Sequence, residues 1–531
     1  MQCLGWVVGL WLLAQVPQPL PGTDAAQALE DAQRAIIERE AAELSSLAGQ
    51  LAGQGETGAA QQVRASIPLP AQPNGPTRFV PLPEVVERRS RVQSGSPARL
   101  EEIRNRAAAE LSDLAQRAAK SALPQYAIAG RCLRAALERQ PDHKEARRLL
   151  GYVPHQGGWA RPFAVQQLQK GNVDHPIFGW QPADWIPHLD HGELPAPFRP
   201  GRKTRWLPAA EADRLRADWN PPWKFATEHF EIQTNVPLAE AISFGRRLEA
   251  FHDLFMTLLA DILGENLPLI QRFKNPALFG DGQPGSKPHQ VYYFGSRDEF
   301  VQHLRQEQGP KIGESLGFYD PPKSGFRRVP AYFFRDPGGQ IPVTATLYHE
   351  VSHQLLFETA GRNAYTKNVG NYWVFEGLGT YFETVSPQPD GSLRVGGLTG
   401  PRIEEALKSL VDKGQSTPLA EFIALDENAF MMEPQVYTNY QQAMAFTVFL
   451  MQWHQGTYRD AFLEYVRDAY HGRIKRAHGR SLQDRLGQTY ATLDGQFLAF
   501  LKDGQTRMRK GGEPARAKPG PSPAIRTVPS R

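Results

Sequence analysis

The chain has 531 residues, more than one hydrophobic core organises at roughly 100–200 residues per domain. Its 41% apolar and 22% charged residues are ordinary for a globular protein, while 44 Pro and 47 Gly call for long connecting segments. The net charge is +4, and Lys502–Arg531 alone holds eight Lys/Arg against two Asp/Glu, so the body is close to neutral; that argues against nucleic acid as a partner. Two cysteines, Cys3 and Cys132, exclude a disulfide framework and a Cys-based metal site.

Residues 1–22 carry a short apolar run, Leu4 to Ala14, followed by Pro-rich sequence. That pattern predicts a secretory signal peptide, an exported product (periplasmic, cell-envelope or secreted), and no stable transmembrane span after cleavage. Residues 25–97 read as an Ala/Glu/Gln/Leu helix to about Ala52, then a Pro-rich linker in which Pro68 to Pro83 break regular structure. Residues 98–150 show helical periodicity before and after Pro141-Asp142-His143, a pattern that resembles one tetratricopeptide-type helix pair. Residues 151–223 are loop-rich and hold six of the ten Trp; such rings act as packing wedges or as a glycan platform, and packing is the expectation.

From residue 224 the order becomes mixed, giving an α+β fold class. Phe230–Thr234, Gln290–Phe294 and Val329–Phe334 read as strands, and Ala239–Leu263 as a long amphipathic helix. Helices dominate to Lys502, and a disordered basic tail is predicted for 503–531.

The chemistry is concentrated in Thr346-Leu-Tyr-His349-Glu350-Val-Ser-His353, an H-E-x-x-H pattern expected by chance about 0.04 times at this composition. On a helix His349 and His353 lie one turn apart on one face and reach one metal ion, with Glu350 beside them. Asn371-Tyr-Trp-Val-Phe-Glu376-Gly-Leu-Gly-Thr-Tyr-Phe-Glu383 reads as a second helix, begun by an Asn cap, that brings a third ligand, Glu376. Gly377 and Gly379 cost helix propensity, and close approach to the first helix offsets that cost. Glu383, two turns beyond Glu376, is placed either to orient a metal-bound imidazole or as a structural carboxylate.

The pair HEVSH and WVFEGLGTYFE resembles the gluzincin zinc metallopeptidases. Residues 224–502 are similar to the peptidase-MA-like domain of exported bacterial proteins, through Glu228–Asn235, Arg247–His252, Tyr292–Phe300 and Tyr440–Phe446 as well. The resemblance implies a zincin-like domain with a mixed sheet and a mainly helical C-terminal part. It implies one zinc held by His349, His353 and Glu376, with Glu350 as general base in the hydrolysis of peptide bonds by a metal-activated water. It also implies a Tyr or His donor for the oxyanion, for which Tyr440 is preferred over Tyr437, a core role for Tyr440 being the alternative. An edge strand before the metal helix, Arg328–Phe334, is the segment placed to pair with an extended peptide or protein substrate. The rival reading is a zinc-binding scaffold without activity that meets an envelope protein through its N-terminal region. Eight other histidines, His143, His155, His175, His188, His191, His229, His252 and His454, lack a partner at ligand spacing and are expected to pack or face solvent.

Overall fold

The computed structural model describes residues 23–68, 75–87, 97–197, 203–219, 221–278, 287–321, 328–336, 343–360, 370–398, 401–470, 473–474 and 481–510. The expected signal peptide lies outside them. Among the described residues no helix is long and apolar enough to cross a membrane.

The described residues begin with Thr23–Gly53 (α1), which docks rather than standing free. Its buried Glu40 meets Arg139, and Glu30 accepts from Arg131 and Arg459 together, tying α1 to two later helices. The Pro-rich stretch departs from the expected linker. Thr57–Ala65 is helical, Thr77–Phe79 pairs antiparallel with Leu393–Val395, and Val85–Val86 pairs with Gly158–Ala160. Pro76, Pro81 and Pro83 flank these strands, so no paired position lacks its N–H.

Ala98–Ala119 (α2) and Tyr126–Arg139 (α3) form a packed helix pair with a shared core of Leu111, Leu114, Ile128, Leu133 and Leu137. The Asp261 carboxylate, from a distant loop, accepts the N–H groups of Tyr126 (2.6 Å) and Ala127 (3.1 Å), capping α3 from outside. The Trp-rich region contains three short hairpins, Val153–His155 with Gly158–Ala160, Asn172–His175 with Gly179–Pro182, and Glu193–Pro195 with Trp206–Pro208. Its indoles pack: Trp180 donates to Glu84 at 2.8 Å, and Trp223 donates to Asp213 at 2.9 Å with Arg216 over its ring.

The central sheet is built from Trp223–Ala226 (β1), Phe230–Thr234 (β2), His289–Phe294 (β3) and Ala331–Phe334 (β4) in the order β4-β3-β2-β1. β2, β3 and β4 run parallel, and β1 is antiparallel at one edge. Phe230, Ile232 and Thr234 alternate inward, as a half-buried strand requires, while Glu231 and Gln233 face the other way. Over the inner face lies Leu238–Leu258 (α4), whose Phe244 stacks on Tyr293 at 4.1 Å.

Val343–Ala360 (α5) lies between α4 and the helices that follow and is buried on nearly every side, its polar Thr346, His349, Glu350, Ser352 and Gln354 included. Tyr348 meets Phe251 of α4, and the Gln354 amide donates to the carbonyls of Gln290 (3.0 Å) and Val329 (3.3 Å). These contacts fix α5 against α4, β3 and the segment leading into β4. Tyr372–Phe382 (α6) is buried at every position and packs between α5 and Val436–Gln452 (α8), after which Arg459–Tyr470 (α9) and Tyr490–Lys510 (α10) complete the helical layer; Pro401–Leu407 (α7) lies between α6 and α8 in sequence. α10 runs eight residues into the expected tail, because Gly504 packs against Leu398 and Gln505 donates to Asp412 at 2.9 Å. Residues 511–531 lie outside the description. The observed class is mixed α+β.

Candidate metal centre

His349 and His353 present their Nε2 atoms to each other at 3.1 Å, and Glu376 Oε2 stands 3.4 Å from His349 Nε2. Donors bound tetrahedrally at about 2.0–2.2 Å sit about 3.3–3.6 Å apart, a range that holds the 3.4 Å separation and lies just above the 3.1 Å one, so the spacing suits a small divalent cation. Glu376 Oε2 is buried and faces His349 Nε2 at 3.4 Å without a well-formed hydrogen bond, an arrangement that a cation between the two completes. Two imidazoles and one carboxylate are a donor set for zinc, and three protein ligands leave one position open. The residues fit the group.

The remaining contacts orient those donors. Nδ1 of His349 lies 2.9 Å from Glu383 Oε1, and Glu383 Oε2 is held by Arg402 of α7 at 2.5 Å. Nε2 of His349 is thereby aimed at the centre. Tyr372 donates to Glu376 Oε1 at 2.8 Å, one helical turn earlier in α6. Gly379 faces the His349 ring: a Cβ there would sit 2.8 Å from its Cε1. Gly377 faces the other neighbour, where a Cβ would come within 2.5 Å of Thr447 Oγ1 and 3.0 Å of the Ala443 carbonyl. The two helix-weakening glycines therefore let α6 approach α5 on one side and α8 on the other.

Burial favours a neutral ring at His349, yet contacts with Glu376 and Glu383 and the charges of Glu383 and Glu350 outweigh it and push the group up to about 10 in the metal-free chain. Burial and the neighbouring His349 charge bring His353 down to about 4. Glu376 is held below the usual carboxylate range, since burial is outweighed by the two imidazoles and the Tyr372 hydroxyl. Burial pushes Glu350 up to about 7, against the pull of His349 and of a hydrogen bond from the Tyr319 N–H. In the metal-free chain that carboxyl takes up and releases a proton near neutral pH.

Other expectations change. Asn371 precedes α6 but does not cap it through its side chain: it adopts the left-handed conformation (φ 63°), and its Oδ1 accepts from Tyr465. Arg328–Phe334 does lie at the sheet edge, but its outward N–H and C=O at Tyr332 are taken by Phe318 (2.9 and 3.0 Å). The stretch around Gly317–Tyr319 thus intervenes between β4 and an added strand. Gly317 is tight there, a Cβ being 3.0 Å from Thr346 Cγ2 and 3.2 Å from Glu350 Cγ. Tyr440 is buried in α8, donating to Met431 Sδ at 3.7 Å and meeting Phe430 edge-on at 5.3 Å, and Phe430 in turn meets Tyr372. Tyr437 is 36% exposed, within electrostatic reach of Arg402.

A second group, His229, Glu249 and His252, also gathers three ligand-type atoms within 4.8 Å. There the imidazoles stack face to face at 3.7 Å with 21° between planes, so their in-plane lone pairs do not converge. His229 Nδ1 instead meets Glu249 at 2.7 Å; burial opposes the charge, but Glu249 and Glu228 hold His229 up at about 9. It is an ion pair stacked on a neutral ring. His143, at the start of Lys144–Leu149, accepts from the Ala146 N–H as a helix cap.

Sequence reasoning missed Tyr372, Arg402 and the Tyr319 N–H. Tyr372 was within reach, being four residues before Glu376 on one helix.

The centre is a two-helix His/His/Glu site on a mixed α+β scaffold. Residues 343–472, from the start of α5 past the end of α9, match a family described as a protein of unknown function, DUF1570. No curated protein and no solved structure matches the chain.

Proposed function

We propose that the chain is an exported zinc-dependent peptidase of gluzincin type, with residues 224–502 as a zincin-like domain. The observation that carries the reading is the convergence of His349 Nε2, His353 Nε2 and Glu376 Oε2 beside Glu350. Zinc, when bound, supplies Lewis acidity toward a scissile carbonyl and acidifies water. His349, His353 and Glu376 hold it. Glu350, steadied by the Tyr319 N–H, accepts a proton from the attacking water and passes it to the departing amine. Glu383 and Arg402 keep the His349 ring in place.

The test compares purified mature chain with two variants. About one zinc per wild-type chain, lost in Glu376→Ala, together with cleavage of a peptide library that disappears in a zinc-loaded Glu350→Gln variant, is the expected result. A chain that takes up no zinc after reconstitution, or cleavage that survives Glu350→Gln, overturns the reading. Zinc without cleavage in either form favours the scaffold instead.

A further inference from the structure

We infer that Tyr372 is a positioning residue that makes Glu376 a one-oxygen ligand and so keeps a coordination position open. The inference rests on the metal reading above and deepens it.

The two oxygens of Glu376 live in different surroundings. Oε1 accepts the Tyr372 hydroxyl at 2.8 Å, whereas Oε2 faces His349 Nε2 at 3.4 Å without a well-formed hydrogen bond. Tyr372 and Glu376 are both buried, and the hydroxyl is the donor the fold supplies to Oε1. A hydrogen bond to Oε1 draws charge from that oxygen and occupies one of its lone pairs, which leaves Oε2 as the better donor to a cation. A carboxylate bound through both oxygens would fill the site that substrate or water needs.

The hydroxyl is held in place by more than its own bond. The Tyr372 ring meets Phe430 edge-on at 5.3 Å and Phe375 at 6.4 Å. Its N–H donates to the Leu425 carbonyl, and the preceding Asn371 N–H donates to the Ile423 carbonyl at 2.8 Å. Tyr465 holds the Asn371 side chain. The first turn of α6 is therefore pinned by the loop after Leu419–Phe422 and by α9, and Tyr372 cannot swing away without disturbing both.

A tyrosine that merely satisfied a buried carboxylate would affect stability and leave coordination unchanged, so the experiment reads coordination. Cobalt(II) is loaded into wild type and Tyr372→Phe, and the visible spectrum and the metal affinity are measured, the latter by competition with a chromophoric chelator. Thermal unfolding of the metal-free forms checks that the variant folds. The expected result is a spectrum that loses intensity, as four-coordinate cobalt gives way to five-coordinate, and an affinity about 10–100-fold weaker. An unchanged spectrum and affinity in a folded variant overturns the positioning role while leaving the metal site standing. Wild type that binds no cobalt or zinc overturns both. X-ray absorption on zinc-loaded wild type needs no variant: a single carboxylate oxygen at bonding distance supports the inference, and a carboxylate bound through both oxygens overturns it.

Discussion

Glu383 Oε1 and His349 Nδ1 lie 2.9 Å apart although 34 positions separate the two residues, and Arg402 holds the other Glu383 oxygen. The relationship sets the tautomer and tilt of a ring whose opposite nitrogen faces Glu376 and His353. Both carboxylate oxygens are engaged from different helices, so Glu383 has one arrangement available.

It follows that Glu383→Ala weakens zinc binding about 10–100-fold, and that Arg402→Gln has a smaller effect in the same direction because Glu383 then keeps only one of its two anchors. Chelator competition on the purified chains measures both. Equal affinity for Glu383→Ala and wild type would sink the orienting role and leave Glu383 as a structural carboxylate.

Gly379 and Gly377 are separated by the next test. Ala at either position improves intrinsic helix propensity by up to about 1 kcal/mol. Gly379→Ala nevertheless pushes a methyl against the His349 ring, and we expect at least a tenfold loss of zinc affinity with the metal-free fold largely retained. Gly377→Ala meets the Ala443 carbonyl, which belongs to helix backbone and cannot move aside, so it lowers stability by about 1–3 kcal/mol. Denaturant titration of both metal-free variants, beside their zinc affinities, reads the contrast; the same pattern in both variants would refute it.

What the sequence made legible and what it hid follow from the range of the interactions. His349 and His353 are one turn apart, and Glu376 sits in a short apolar helix with its own boundaries, so local spacing was enough to find three ligand candidates and Glu350. Strand β2 was readable because Phe230, Ile232 and Thr234 keep period two over five residues. Arg402 was not, since its partner Glu383 lies on another helix and no spacing rule links them. The strands Thr77–Phe79 and Val85–Val86 were hidden because two or three residues among prolines show no periodicity, and their partners are far along the chain. The outer contact of Phe318 with Tyr332 is a single bridge, too short to leave a pattern.

That the Pro-rich stretch is part of the tertiary structure has a pH signature. Burial pushes the Glu84 carboxyl up to about 7, against the hydrogen bond from the Trp180 indole, with Glu228, Glu249 and Asp174 adding to the rise. The unfolded chain releases this proton near the ordinary value of 4.5, while the folded chain keeps it until about 7. Rising pH therefore favours the unfolded state across the window from about 4.5 to 7, and the contribution is flat above it. Glu84→Gln keeps an acceptor for the indole and removes the titration. Relative to wild type, the variant should gain about 1–3 kcal/mol of stability between pH 5 and pH 8, less than the full linkage value because the site is not wholly dry. Urea unfolding at the two pH values measures the difference. A stability gap between the two proteins that does not widen with pH would mean that Glu84 is already ionised in the fold, and that the segment is held more loosely than its contact with Trp180 implies.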